Sequence, residues 1–465
     1  GSVDELWSTA ASLYEEIMLY EEAYNHFSDA QKDLPQNIVQ REILDTIHEY
    51  LRKRTHWAPM LRALPRTPKD CKLLYSGGPK QQEAWANIQK MSAFLEVLAQ
   101  EVVETKDQEI LAVFKQDIVF LKNQLIRMLH ERTEAFQESF LAKENRHPSE
   151  SDRKKIEIER RSAKDLSMTE FVQDYASKRK PVIITDLDLF KTNWTISHIA
   201  EKCGHHSPEF RMKSETTSNW GGLIDVKESI TLSTFLQTHR ENATRAKWYL
   251  HDWSLPRACP EIFGPPPYEE FRFPKYFAGD YFQRMPFVGF QHSWPSLFVG
   301  ANGTESKMHI DAGGTNFWMY LIEGKKLWRF YDRFEVGQLY REPLSARFFT
   351  DVFRPNFEQD PLVATAPLYE GIQEPGDLVF IPGGCPHGVL NLDHIVGISM
   401  NLVDASNQDL YLATQMLEGD YKNVERFGNP SFPRGLRSDQ EDLTFGEFKS
   451  QRWYEMQEEL DLFAT

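Results

Sequence analysis

The run Gly303-Thr304-Glu305-Ser306-Lys307-Met308-His309-Ile310-Asp311, read together with the later Pro382-Gly383-Gly384-Cys385-Pro386-His387, decides how this chain folds and what chemistry it can hold. Side chains two apart on a strand point to the same side, so His309 and Asp311 can reach one ion. The third donor must come from a neighbouring strand. Glu374-Pro375-Gly376-Asp377 reads as a turn and Leu378 to Ile381 as an apolar strand. The Gly-rich stretch after it reads as a second turn that delivers His387 to the next strand. Two imidazoles and one carboxylate form a facial set of the kind that holds non-haem iron(II) and leaves the opposite positions open. A lone His-x-Asp is common in a chain of this size. Pairing of the two motifs, with turn residues and flanking strands in agreement, is what points to a metal site at His309, Asp311 and His387. The hairpin outline is that of a jelly-roll barrel, so the fold class expected is α+β, a double-stranded β-helix with helical additions.

Gly303, with five residues between it and His309, and Gly376, with five between it and Pro382, complete spacings that resemble the two cupin motifs. Ordinary cupins usually carry a second His where this chain has Asp311, and a nearby Glu ligand that is missing here. With that departure the chain resembles the JmjC-domain 2-oxoglutarate-dependent oxygenases. Lys180-Pro181-Val182-Ile183-Ile184 is similar to the first strand of that domain, and Gly324-Lys325-Lys326-Leu327-Trp328 to the strand that follows its first ligands. The resemblance covers residues 160 to 405. Trp248-Tyr249-Leu250, His309 to Phe330 and His387 to Asn401 look most like the small peptidyl (lysyl) hydroxylase branch.

The resemblance implies iron(II), 2-oxoglutarate and O2 as cofactors, and hydroxylation of a protein or peptide side chain with succinate and carbon dioxide as co-products. Lys326 would pair with the distal carboxylate of 2-oxoglutarate. Ser306, Tyr249 and Ser399 would add hydroxyl hydrogen bonds, and Asn401 would lie beside the co-substrate. A carboxylate buried in a barrel without a partner costs several kcal/mol, so such a cation is physically required. Met319 stands where that branch tends to have Asn, so one hydrogen bond near the metal is either lost or replaced by Asn316 or Asn401. Ser306 and Ser399 stand where Thr is more familiar. On the same site, an N-methyl target would release formaldehyde, so demethylation of lysine or arginine is the alternative outcome. A catalytically idle scaffold with a helical interaction domain is the rival from another class.

Alternation puts Lys326 on one face with Trp328 and Phe330, and Lys325 on the other with Arg329, so Lys325 reads as solvated. Cys385 reads as a small buried packing residue. His251, His292 and His394 read as structural or surface histidines.

At 465 residues, 41% hydrophobic and 26% charged, the chain can bury more than one core. Residues 1–150 read as a helical domain. Trp7, Ala10, Ala11, Tyr14, Ala23, Phe27, Ala30 and Pro35 fit one tetratricopeptide-like hairpin, and Leu111, Phe114, Ile118, Leu121, Leu125 and Met128 form a helical seam. Lys143 to Lys155 reads as an exposed hinge, and its basic residues with Arg160-Arg161 as a solvated face. Residues 406–465 read as helical. Leu443-Thr444-Phe445-Gly446-Glu447-Phe448 forms a capping box ahead of a helix through Phe463, and the resemblance implies a homodimer through this segment. Pro260 to Tyr281, rich in proline and aromatics, reads as cladding of the barrel.

The net charge of -16 disfavours nucleic acid and favours a basic peptide as partner. No apolar run is long enough to span a membrane. The four cysteines have no paired or zinc spacing, which makes an intracellular setting, cytoplasm or nucleus, the simpler expectation. Gly1-Ser2 reads as a remnant of cloning, and the sequons at Asn193, Asn242 and Asn302 as chance occurrences.

Overall fold

Leu378-Val379-Phe380-Ile381 is buried on both faces. Val379 and Ile381 join the core between two sheets, whereas Leu378 and Phe380 join a second core outside them. A strand buried this way must lie inside a layered barrel. In the computed structural model, the described residues are 133–417 and 442–449 apart from 214–222, 285–292 and 343–346, with a few helical positions between 123 and 131. The tetratricopeptide-like hairpin and the seam from Leu111 lie outside them, as does His292.

The described residues form sixteen strands, β1 to β16 in chain order. The smaller sheet orders β1 (Lys155–Glu157), β12 (Leu368–Gln373), β11 (Lys326–Phe330), β14 (His387–Asn391) and β9 (Glu305–His309). The larger sheet begins with β2 (Glu159–Ser162), β3 (Val182–Thr185), β13 (Leu378–Ile381) and β10 (Asn316–Glu323). It continues through β15 (Ile395–Leu402), β8 (Ser296–Gly300), β6 (Trp248–Ser254), β4 (Arg211–Lys213) and β5 (Leu223–Asp225). A third pair joins β7 (Arg272–Phe273) to β16 (Leu443–Thr444). The expected jelly-roll architecture is present, with α1 (Ile196–Cys203), α2 (Leu232–Thr238), α3 (Gln408–Leu417) and α4 (Phe445–Lys449) packed around it.

β15 explains why the barrel is hollow where it matters. Val396, Ile398, Met400 and Leu402 point outward into the outer core, so Gly397, Ser399 and Asn401 point inward. Small and polar residues on the inner face leave space that large aliphatic side chains would fill.

Three sequence expectations change. Residues after Ser149 do not form a free hinge: Lys155–Glu157 pairs in parallel with Leu368–Glu370, and Glu159–Ser162 with Val182–Thr185. The basic residues are used structurally, with the buried Arg153 guanidinium donating to Tyr331 Oη and Arg160 bonding both Asp377 oxygens at 2.8 Å. Second, Cys203 and Cys259 are joined in a disulfide. Their separation of 56 residues concealed a pairing that the fold creates, and it removes the support that unpaired cysteines lent to a reducing, intracellular setting. Third, the C-terminal segment is not wholly helical, since Leu443–Thr444 forms a strand.

The capping box itself is present: Glu447 N donates to Thr444 Oγ1 at 3.2 Å and Thr444 N to Glu447 Oε2 at 2.9 Å. Phe445 stacks on Phe263 at 3.8 Å and Phe448 on Phe273 at 3.6 Å, while Phe277 stacks on Trp318 of β10 at 5.7 Å, so the aromatic Pro260 to Tyr281 segment clads the barrel. Among the described residues no helix is long and apolar enough to cross a membrane.

Candidate metal centre and its cavity

His309 ends β9, His387 begins β14, and the two are direct partners across the ladder with ring centroids 4.3 Å apart. Val389 pairs with Ser306, so three steps along β9 match two along β14. This bulge turns both Ser306 and His309 to the inner face, which strict alternation would forbid. Asp311 lies just past β9 in extended backbone, at φ -62 and ψ 141. Its Oδ1 is 3.8 Å from His309 Nε2 and 4.0 Å from His387 Nε2. The turn after it is packed tightly: a Cβ on Gly383 would stand 2.3 Å from the Gly314 carbonyl oxygen, so only glycine lets the two ligand-bearing loops meet.

The ring orientations are fixed by the backbone. His309 Nδ1 donates to the Lys307 carbonyl at 2.7 Å and His387 Nδ1 to the Cys385 carbonyl at 3.0 Å. A carbonyl can only accept, so each Nε2 presents a lone pair toward Asp311. Burial holds both imidazoles down at about 4 and pushes the Asp311 carboxyl up to about 6, with His309 opposing the latter. Asp311 Oδ2 is buried without a hydrogen-bond partner. Two neutral imidazoles and a carboxylate short of positive charge fit a divalent cation.

Lys326 projects inward from β11 and is 1% exposed. Its Nζ donates to Tyr249 Oη at 3.3 Å, and among the described residues no carboxylate pairs with it. Burial pulls the amine down to about 7. Lys325 points outward and bonds Glu374 at 2.8 Å. Beside Lys326, Trp328 Nε1 donates to Gln373 Oε1 at 2.8 Å, and Gln373 Nε2 donates to the Met319 and Asp377 carbonyls. This fully satisfied buried amide holds the wall rigid.

Residues 168–403, half of the chain, match the profile of the cupin-like domain. The chain belongs to the cupin-like domain family. It is 24% identical over 304 residues to the arginine-specific demethylase JMJ20 of Arabidopsis thaliana, a match that covers 58% of this chain and 62% of the relative. It is 30% identical over 173 residues to the 2-oxoglutarate and iron-dependent oxygenase JMJD4 of Mus musculus, covering 36% and 39%. It is 24% identical over 284 residues to the bifunctional arginine demethylase and lysyl-hydroxylase psr-1 of Caenorhabditis elegans, covering 54% and 63%. The chain therefore spans less than two thirds of the length of these relatives. The resemblance to JmjC oxygenases read from the two motifs agrees with them.

A cavity of about 470 Å³ in the cupin-like domain gathers His309, Asp311 and His387 with Lys326, Tyr249, Ser306 and Asn401. Ser399 shares the inward face of β15, opposite Met319, but does not line the cavity; its buried hydroxyl has no partner. Asn316 is committed elsewhere, accepting from Gly383 N at 2.8 Å and donating to Ser406 Oγ at 3.0 Å. Of the two candidates beside Met319, Asn401 is therefore the one that reaches the cavity, with its amide donating to Thr315 Oγ1 at 2.9 Å. Cys385 is buried and its thiol pushed up to about 12 by that burial, which suits packing rather than chemistry.

Sequence reasoning missed two residues on β6. His251 lines the cavity beside Tyr249, rather than being a surface or merely structural histidine, and alternation from Tyr249 carried that signal. Asp252 lines it as well because the strand is bulged there and Asp252 adopts φ 56. Tyr411 and Gln415 of α3 close the opposite side.

Proposed function

We propose that this chain is an iron(II)- and 2-oxoglutarate-dependent dioxygenase that hydroxylates a side chain of a protein or peptide. The observation that carries the reading is one cavity with three convergent metal donors and a buried lysine that lacks a carboxylate partner. JMJD4, named as a 2-oxoglutarate and iron-dependent oxygenase, supports it. Iron(II) held by His309, Asp311 and His387 would supply oxygen activation coupled to conversion of 2-oxoglutarate to succinate and carbon dioxide.

The chain's own residues bind, orient and exclude water. Lys326 and Tyr249 would hold the distal carboxylate, and that charge would restore the protonated amine that burial disfavours. Phe298, Phe317 and Trp328 wall the space against water. Once Asp311 serves the ion and Lys326 the co-substrate, exposed Asp252 is the carboxylate left on the cavity lining. It favours a cationic side chain, lysine or arginine, in agreement with the names of psr-1 and JMJ20.

The same charge suits N-methylarginine, so demethylation is the second reading. The paired donors and Lys326 weigh against an idle scaffold. Residues 1–150 would add a helical domain, and the C-terminal segment 406–465 a homodimer contact. The test is mass spectrometry of basic peptides, plain and N-methylated, after incubation with enzyme, iron(II) and 2-oxoglutarate. A gain of one oxygen supports hydroxylation and loss of a methyl supports demethylation. Co-substrate that is neither bound nor consumed with any peptide defeats both.

A further inference from the structure

A second set of two imidazoles and a carboxylate lies outside the cavity. His205 and His206 follow α1, and Glu261 lies in the 3-10 turn Pro260–Phe263; one donor atom from each falls within 4.8 Å of the others. His206 Nε2 stands 3.2 Å and His205 Nε2 3.6 Å from the same atom, Glu261 Oε1. Adjacent residues in a chain ordinarily splay apart, yet these two rings have centroids 4.0 Å apart. Donors bonded to zinc at about 2.0–2.1 Å stand roughly 3.0 Å apart at right angles and roughly 3.4 Å apart in a tetrahedron. The His206 separation falls inside that range and the His205 separation lies just beyond it.

The frame around these donors is rigid on both sides. Gly204 permits the turn, because a Cβ there would meet the Ala200 carbonyl oxygen at 2.1 Å. Leu232 N donates to the His206 carbonyl at 2.7 Å and Ser233 N to the Gly204 carbonyl at 2.9 Å, so the start of α2 clamps the histidine pair. On the other side, Cys259 precedes the turn that carries Glu261 and is bonded to Cys203 at the end of α1. Both strands of the junction are thus fixed before any ion arrives.

We propose that His205, His206 and Glu261 form a surface site for a divalent transition cation, zinc above all, which clips the end of α1 to the Pro260–Phe263 turn. Imidazole and carboxylate donors suit zinc, copper(II) or nickel, and the exposed position leaves room for water to complete the coordination. On binding, each Nε2 gives up any proton it carries, either to solvent or to Nδ1, so that each bound ring is neutral with its single proton on Nδ1. The site joins the same two segments as the disulfide, and it is independent of the activity proposed for the cavity.

The test uses the tag-free full chain with His309→Ala and Asp311→Ala, which disable the cavity triad. This protein is dialysed against zinc chloride, and bound zinc is measured by elemental analysis. Adding Glu261→Gln, which conserves shape, or His206→Ala should remove one zinc per chain, or weaken its binding by roughly a hundredfold or more. Zinc should raise the melting temperature of the parent and not that of the Glu261→Gln variant. Equal zinc content and equal melting shifts with and without Glu261 would mean a His–Glu ion pair only, and would overturn the site.

Discussion

The chain holds the same donor set twice, and the two places differ in what surrounds it. His309, Asp311 and His387 sit at the wall of a cavity that also holds a buried lysine, whereas His205, His206 and Glu261 lie near the surface beside a disulfide. At the first, the backbone fixes both ring tautomers, and a buried lysine that pairs with no carboxylate among the described residues lies within the same enclosure. At the second, His205 and Glu261 are exposed. Two imidazoles and a carboxylate therefore suit a metal, while burial, a counter-charge and room for a second ligand would add chemistry.

The largest effect that separates the two sites should come from His387→Ala. Turnover of 2-oxoglutarate, followed as succinate, should fall by roughly a thousandfold or more, beyond the 10–100-fold typical of losing an outer partner of a ligand. A residual rate near that of wild type would remove the triad from the reaction. Next is Lys326→Met, which deletes a charge-assisted bond worth about 1.5–3 kcal/mol, so the affinity for 2-oxoglutarate should weaken by about 10- to 150-fold with the metal site intact. Metal content measured alongside distinguishes this from general damage.

Affinity for 2-oxoglutarate should also depend on pH. Burial lowers the free Lys326 amine to about 7, and the bound dianion requires it charged. Binding is thus fully present below pH 7 and weakens as pH rises above it, by about tenfold per unit until the complex itself loses the proton. A flat profile from pH 6 to 9 would contradict the assignment. The smallest effect is that of Asp252→Asn, which should raise KM for a basic peptide by about 2- to 10-fold, with kcat nearly unchanged and less sensitivity to salt.

The motifs that build the cavity were legible because each is local. Turn residues before His309 and His387 announce the strands, and alternation alone sorts Lys326 from Lys325. What was not legible depends on contacts made far along the chain. The bulge that turns Ser306 and His309 to one face is a register shift against β14, and the one that exposes Asp252 to the cavity is a shift against β8. Tyr411 and Gln415 reach the site from α3, which no spacing ties to the barrel. Cys203 and Cys259 meet only because α1 packs against the turn after β6. The reading of Lys143 to Lys155 as a hinge failed for a related reason: short polar strands such as β1 are ordered by the sheet they join rather than by their own composition.

The proposed reaction needs one co-substrate spanning the metal and Lys326, and calorimetry in the absence of oxygen tests that directly. Iron(II)-loaded wild type should bind one 2-oxoglutarate per chain, His387→Ala should bind none, and Lys326→Met should bind it at least about tenfold more weakly, without the decline above pH 7. Wild type that binds no 2-oxoglutarate, or a Lys326→Met variant with unchanged affinity, would contradict it.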